Sequence, residues 1–353
     1  MCYNNKKVIH LVLKKEKVKI SMLKSKKLIS IVALCLGFAT FVSCTQTNYK
    51  VAFSDNWYSG SIPSSGDEAA ETLEYKVSFL KGASLDNIGY TLSYNDGTYV
   101  TELTTARENG EVIYTYRSAL NIQSVYTLNS VSETQDNTIE SVVKFKGTAN
   151  ALEPVSSYKY IHSYSPNYTS PSKIEGCYTE YEYAVEITYS GNQGVSRTYS
   201  SQTETDSEST SSTGETNEIT NEFSISRKKY TYLDNEQLLF ALRGIDPAQN
   251  SSPKFNVYNP YTKMQRVKTS FDAVKTGNFT FLMEADTTAT ERPISYYPVS
   301  VQYDADNSGA AQEIWIAQKQ SSNSYRNVIL RMEIPLAYYL GSLVYELKKA
   351  DFS

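Results

Sequence analysis

Few residues in this chain carry reactive side chains, and their spacing narrows the chemistry further. The four cysteines are Cys2, Cys35, Cys44 and Cys177. Two lie in the first 43 residues, so the body beyond Cys44 keeps one thiol. It can form no intrachain disulfide and no thiolate metal cluster. A nucleophilic Cys177 would need an imidazole base, and the body holds one histidine, His162. A structural Cys177 and a surface His162 are the simpler assignment. The chain lacks H-E-x-x-H, G-x-S-x-G, a P-loop and G-x-G-x-x-G. Asp304, Asp306, Ser308 and Gly309 fit the start of a calcium loop, but its twelfth position is Trp315 rather than Glu. The segment reads as a polar turn between strands. No catalytic residue, metal site or cofactor is assigned, and the chain is expected not to be an enzyme.

The chemistry that does stand out is at the N-terminus. Lysines at 24, 26 and 27 precede an apolar run from Leu28 to Ser43 that ends at Cys44. Sixteen residues fall short of the roughly 20 that span a bilayer and suit a signal peptide. Phe41-Val42-Ser43-Cys44 resembles the box of bacterial lipoproteins. That resemblance implies acylation of the Cys44 thiol, palmitate-like chains, and removal of residues 1–43. An uncleaved signal anchor would give the same topology, with the lysines in the cytoplasm. The implied location is the bacterial cell membrane or outer membrane, facing away from the cytoplasm. A second lysine-rich stretch precedes Met22, which suggests Met22 as the true start.

Charge supports export and argues against nucleic acid. Residues 1–43 hold nine lysines and one glutamate, which leaves 25 basic and 37 acidic groups beyond them. A body at −12 is a poor partner for phosphate backbones. Residues 44–72 are polar, with a serine cluster, and read as a lipid-proximal tether. Residues 73–353 read as one β-rich domain.

Within that domain the period is two. Leu73-Glu-Tyr75-Lys-Val77 alternates apolar with polar. Asp96-Gly97 between alternating runs predicts a hairpin. Strand runs are expected at Glu111–Tyr116, Ser124–Val131, Thr138–Lys146, Val155–Tyr164 and Tyr178–Tyr189. In the last of these Tyr181, Tyr183, Val185, Ile187 and Tyr189 share a face. Thirty tyrosines in 353 residues fit the same β preference. Residues 200–217 hold no apolar residue and are expected to form a mobile loop at a hairpin tip. One helix is expected at Asn235–Arg243, capped by Asp234 and Gln237, with Leu238, Leu239 and Leu242 as its apolar stripe. Strands resume from Lys254 to near Leu347. Sequential pairing makes this a long antiparallel meander.

The helix at Asp234–Arg243, the strands around Ser141–Phe145 and Leu152–Pro154, and Gly277–Phe279 with Ile314–Ile316 resemble a family of bacterial envelope domains. That family is similar in fold to lipoprotein-carrier proteins. The resemblance implies a long curved antiparallel sheet, a half-open barrel, with one short helix packed on it. It also implies a concave face that holds a lipid-like ligand against Leu238, Leu239, Leu242 and Arg243. Arg243 would face the ligand or pair with a sheet carboxylate, and the helix could fill the concavity itself. The alternative function is a surface protein that contacts glycans or proteins through exposed tyrosines.

Overall fold

Alternation of apolar and polar side chains builds most of the chain into strands, and the fold is mainly β with one short helix. The computed structural model describes residue 51 and residues 71–352, apart from 84, 86–87, 149–150, 169–170, 202–215, 228–229, 262, 285, 305–309, 319–326 and 337–339. Cys44, most of the calcium-like loop and nearly all of the 200–217 tract lie outside the described residues.

The first half is a meander. Strands β1 (Glu71–Lys81), β2 (Thr91–Tyr94), β3 (Gly97–Glu108), β4 (Glu111–Leu128), β5 (Val131–Thr148), β6 (Ala151–Pro166), β7 (Tyr178–Ser190), β8 (Gln193–Ser201) and β9 (Thr216–Ser224) follow one another. From β3 to β9 each strand pairs antiparallel with the next. Two reversals use two-residue turns with both residues at positive φ: Asn109-Gly110 (52° and 84°) and Asn129-Ser130 (50° and 67°). That is the backbone of a type I′ turn, whose twist matches its strands. The expected strand Ser124–Val131 therefore breaks at Asn129.

Asn95-Asp96-Gly97 does not reverse the chain. Both β2 and β3 run antiparallel to β4, with Tyr94 opposite Ser124 and Thr98 opposite Asn121. Three residues on one side (95–97) meet two on the other (122–123), so the segment is a bulge within one long strand rather than the expected hairpin. Gly97 is required by close approach, since a Cβ there would lie 2.6 Å from the Asn121 carbonyl oxygen.

The second half comprises β10 (Thr231–Tyr232), α1 (Leu238–Leu242), β11 (Lys254–Asn259), β12 (Lys263–Phe271), β13 (Lys275–Met283), β14 (Thr290–Tyr303), β15 (Gln312–Ala317), β16 (Ile329–Pro335) and β17 (Gly341–Asp351). Strands β13 to β17 close into a five-strand barrel. Closure comes from parallel pairing of Leu282 and Met283 on β13 with Lys349 and Ala350 on β17. Strand β1 joins the halves, with β3 on one side and β17 on the other. Its Leu73, Tyr75 and Val77 are buried between them.

The tether region reaches the domain earlier than expected. Val51 is buried in the main core, and its N–H donates to Thr231 Oγ1 at 3.0 Å. Glu71 and Thr72 already belong to β1.

Candidate functional site

The helical segment starts as the sequence predicts. Asp234 has extended backbone (φ −68°, ψ 144°), and its Oδ1 accepts from the Glu236 N–H at 2.8 Å. Gln237 Oε1 accepts from the Asp234 N–H at 3.1 Å, completing a capping box. One turn of 3-10 helix, Asn235–Gln237, then leads into α1. Asp234 is itself buried, and Ser157 Oγ and Tyr189 OH both donate to its Oδ2, at 2.6 and 2.5 Å. Burial, and then the neighbouring Glu236, hold its carboxyl above the usual carboxylate range.

The helix is apolar nearly all round, as a helix sunk into a core must be. Leu238, Phe240, Ala241 and Leu242 are buried. Phe240, absent from the expected stripe, is the anchor: its ring lies 5.4 Å from Tyr116 and 5.3 Å from Phe145. Leu239 is only half-buried.

The four expected ligand-binding residues fall at two places. Leu238 and Leu239 line a cavity of about 190 Å³ with Leu120 and Ile139 on one wall and Met332 and Ile334 on the other. Tyr99, Tyr303 and Tyr345 also belong to the lining, and the Tyr303 hydroxyl donates to Asn235 Oδ1 at 3.0 Å. Burial pushes the Tyr99 and Tyr345 phenols up, so both stay neutral donors at physiological pH. The mouth carries Lys159 and Glu236, paired at 3.1 Å. Such a site suits an apolar group with a polar end. An engineered apolar cavity of about 150 Å³ takes benzene, so this one accepts a ring or the end of an acyl chain, not a whole lipid.

Leu242 and Arg243 line a separate cavity of about 210 Å³ with Phe271 and Tyr297. Arg243 does not offer its charge there. Its Nη1 and Nη2 donate to Glu71 Oε1 and Oε2 at 2.5 and 2.7 Å, and its Nε donates to the Asn327 carbonyl at 3.0 Å. Both partners are almost fully buried. Arg243 is thus the partner of a sheet carboxylate. Burial alone would lower its pKa, but Glu71 more than offsets this and holds it raised.

Cys177 is buried with Tyr90 and Tyr126, and burial pushes its thiol up, away from a thiolate nucleophile. His162 lies in β6 and hydrogen-bonds Glu180 at 2.8 Å. Among the described residues no group of three or more His, Cys, Asp and Glu side chains could hold a metal ion. Asp304, which opens the calcium-like segment, pairs with Lys268 at 2.5 Å. No helix among the described residues is long and apolar enough to cross a membrane.

A third cavity, about 400 Å³, opens where β13 diverges from β17 in the barrel wall. Trp315 there stacks on Tyr296 (5.0 Å) and lies under the Arg331 guanidinium (4.8 Å). No family model, curated protein or solved structure matches the chain.

Proposed function

We propose that the chain is an exported envelope protein, anchored to a membrane through lipid on Cys44, whose β-rich domain takes up a hydrophobic group beneath its helical segment. The observation that carries the reading is the cavity of about 190 Å³ that joins aliphatic side chains, the half-buried Leu239 among them, to polar ones. The neutral tyrosines and the Lys159–Glu236 pair at the mouth would seat a polar end. The reading is of a binding protein and assigns no catalytic residue.

The test uses a fluorescent fatty-acid probe with the full chain carrying Cys44→Ser, which avoids competition from its own lipid. Leu239→Trp adds an indole into the cavity. We expect it to weaken probe binding about tenfold or more, a loss of about 1.4 kcal/mol, while the melting temperature stays within a few degrees. Equal binding by both proteins, or none by the parent, refutes the cavity as the site.

The alternative, a surface that contacts glycans or proteins, rests on a different observation. Tyr158, Tyr160 and Tyr164 alternate along the outward face of β6, with Glu182 and Glu180 accepting from the latter two hydroxyls. Against it, Tyr75, Tyr99, Tyr114, Tyr116, Tyr126 and Tyr345 are buried in cores.

A further inference from the structure

Nine large apolar side chains stand exposed among the described residues, and four of them lie where the turn between β11 and β12 meets strands β7–β9. They are Tyr181 (48 % exposed), Ile219 (57 %), Tyr261 (62 %) and Met264 (40 %). Strand register explains the gathering. One face of β7–β9 carries the rungs Tyr183–Ser200–Asn217, Val185–Thr198–Ile219 and Ile187–Ser196–Asn221. The turn between β11 and β12 docks onto this face. Tyr261 packs edge-on against Tyr183 at 5.7 Å, and Lys263 Nζ donates to Asn221 Oδ1 at 3.0 Å. Met264 sits opposite Tyr258, whose ring stacks on Phe223 at 3.7 Å. The docked tip leaves Tyr181 and Ile219 uncovered beside Tyr261.

The same register removes negative charge from this face. Glu186 is on a rung with Arg197 and Thr220, and Glu218 on one with Tyr199 and Ala184. Alternation therefore sends Glu180, Glu182, Glu186, Glu218 and Glu222 to the opposite face. In a body at −12, these three strands present a face of apolar and uncharged polar side chains without one carboxylate of their own. Glu236 of the helical segment is the carboxylate that lines the crevice beside Tyr183 and Tyr261.

We propose that this face, led by Tyr261 and Ile219, rests on the membrane surface to which the chain is anchored. The proposal rests on the lipid at Cys44 and adds which face meets the bilayer. Chain length makes the contact reachable. Cys44 precedes Val51 by seven residues, at most about 25 Å of extended chain. Val51 is fixed to Thr231, which pairs with Phe255 on β11. From Phe255 to Tyr261 is six residues, at most about 20 Å. The span from Val51 to the hairpin tip is thus comparable to the reach of the anchor. Tyrosine suits the place, with an apolar ring and a hydroxyl that stays among headgroups.

The test places tryptophan at Tyr261 and, as control, at Val274. Val274 is also exposed but lies beyond the far end of β12, about 30 Å from the tip along that strand. Phe255 pairs with Val267, which stands six residues from Tyr261 and seven from Val274, so the two positions are about equally far from Val51 and the comparison tests the face and not the tether. The full lipid-anchored chain is reconstituted in phosphatidylcholine–phosphatidylglycerol vesicles with brominated acyl tails. The tryptophan added by Tyr261→Trp should lose about half its fluorescence or more, and that of Val274→Trp about a tenth or less, because an interfacial side chain sits only 5–10 Å deep. Anchored chain with Tyr261→Trp unquenched, or both positions quenched alike, overturns the proposal alone. Absence of acyl mass at Cys44, with loss of vesicle binding, overturns the anchor reading and the proposal together. A dimer in sedimentation that Tyr261→Asp dissolves assigns the face to a second copy and also overturns it.

Discussion

The Arg243–Glu71 pair offers the most quantitative test of how the two halves are held together. Glu71 opens β1, Arg243 follows α1 and Asn327 precedes β16, so one guanidinium ties three distant segments. Arg243→Met removes three donors and leaves the Glu71 carboxylate, 1 % exposed at its side chain, without its cation. Breaking a buried pair this way costs about 3–5 kcal/mol. That is about a fifth or more of a typical total stability of about 5–15 kcal/mol. Replacing both partners, Glu71→Leu with Arg243→Met, removes the buried charge as well. The double variant should recover to within about 1–2 kcal/mol of the parent, the residue being mainly the lost bond to the Asn327 carbonyl. The double variant is then about 1–4 kcal/mol more stable than Arg243→Met alone. Arg243 has a folded pKa raised above its already strongly alkaline unfolded value, so its contribution is complete below that unfolded pKa and is lost only at still higher pH. The cycle should therefore read the same at neutral and mildly alkaline pH. The assay is urea unfolding followed by circular dichroism, with matched slopes. A loss under about 1 kcal/mol for Arg243→Met, or a double variant no more stable than that single one, refutes the reasoning.

Gly97→Ala should destabilise by about 1–3 kcal/mol, read as a lower melting temperature, because its Cβ would meet the Asn121 carbonyl at 2.6 Å and Ile122 Cβ at 2.8 Å. An unchanged melting temperature would mean that the bulge yields without cost. Asp234 carries a pH signature opposite to that of an exposed paired carboxylate: burial raises its folded pKa, so its contribution is complete below the unfolded value of 3.8 and is lost as pH rises through the folded pKa. The stability of Asp234→Asn relative to the parent should therefore improve between about pH 4 and about pH 7, and a flat difference across a melting series would exclude this.

What could be read from the sequence was local. Tyr178–Tyr189 matches β7 (Tyr178–Ser190) within a residue because alternation acts over neighbours. The capping box at Asp234 and Gln237 is likewise a four-residue device, and both of its bonds are made. The misplaced turn shows the limit. Asp96-Gly97 marks a backbone that tolerates close approach, but tolerance does not say whether the chain turns back or bulges. The reversals fall instead at Asn109-Gly110 and Asn129-Ser130. Pro293 and Pro298 similarly hid the first part of β14. Pro293 faces a described partner only on β13, and Pro298 falls between the end of pairing to β13 at Tyr296 and its start to β12 at Val299. A proline is tolerated where one edge lacks a ladder bond, and such a gap exists only in three dimensions.

The candidate site was legible to the extent that it is helical. Residues 238–242 are apolar throughout, so a stripe of period 3.6 has no unique phase over so short a segment. Leu238, Leu239 and Leu242 fit one phase, while the core uses Phe240 and leaves Leu239 half-buried in the cavity wall. Arg243 was legible as a charge in need of a carboxylate, but its partner lies 172 residues away. Glu71 stands in a polar context that reads as tether, and only the pairing of β1 with both β3 and β17 makes it buried. Barrel closure rests on two parallel rungs, Leu282–Lys349 and Met283–Ala350, for which no local pattern is required. The cavity itself is the space left between side chains of β3–β5, the helix and β14–β17. A space of that kind is set by how closely separate elements approach, and no single segment encodes it.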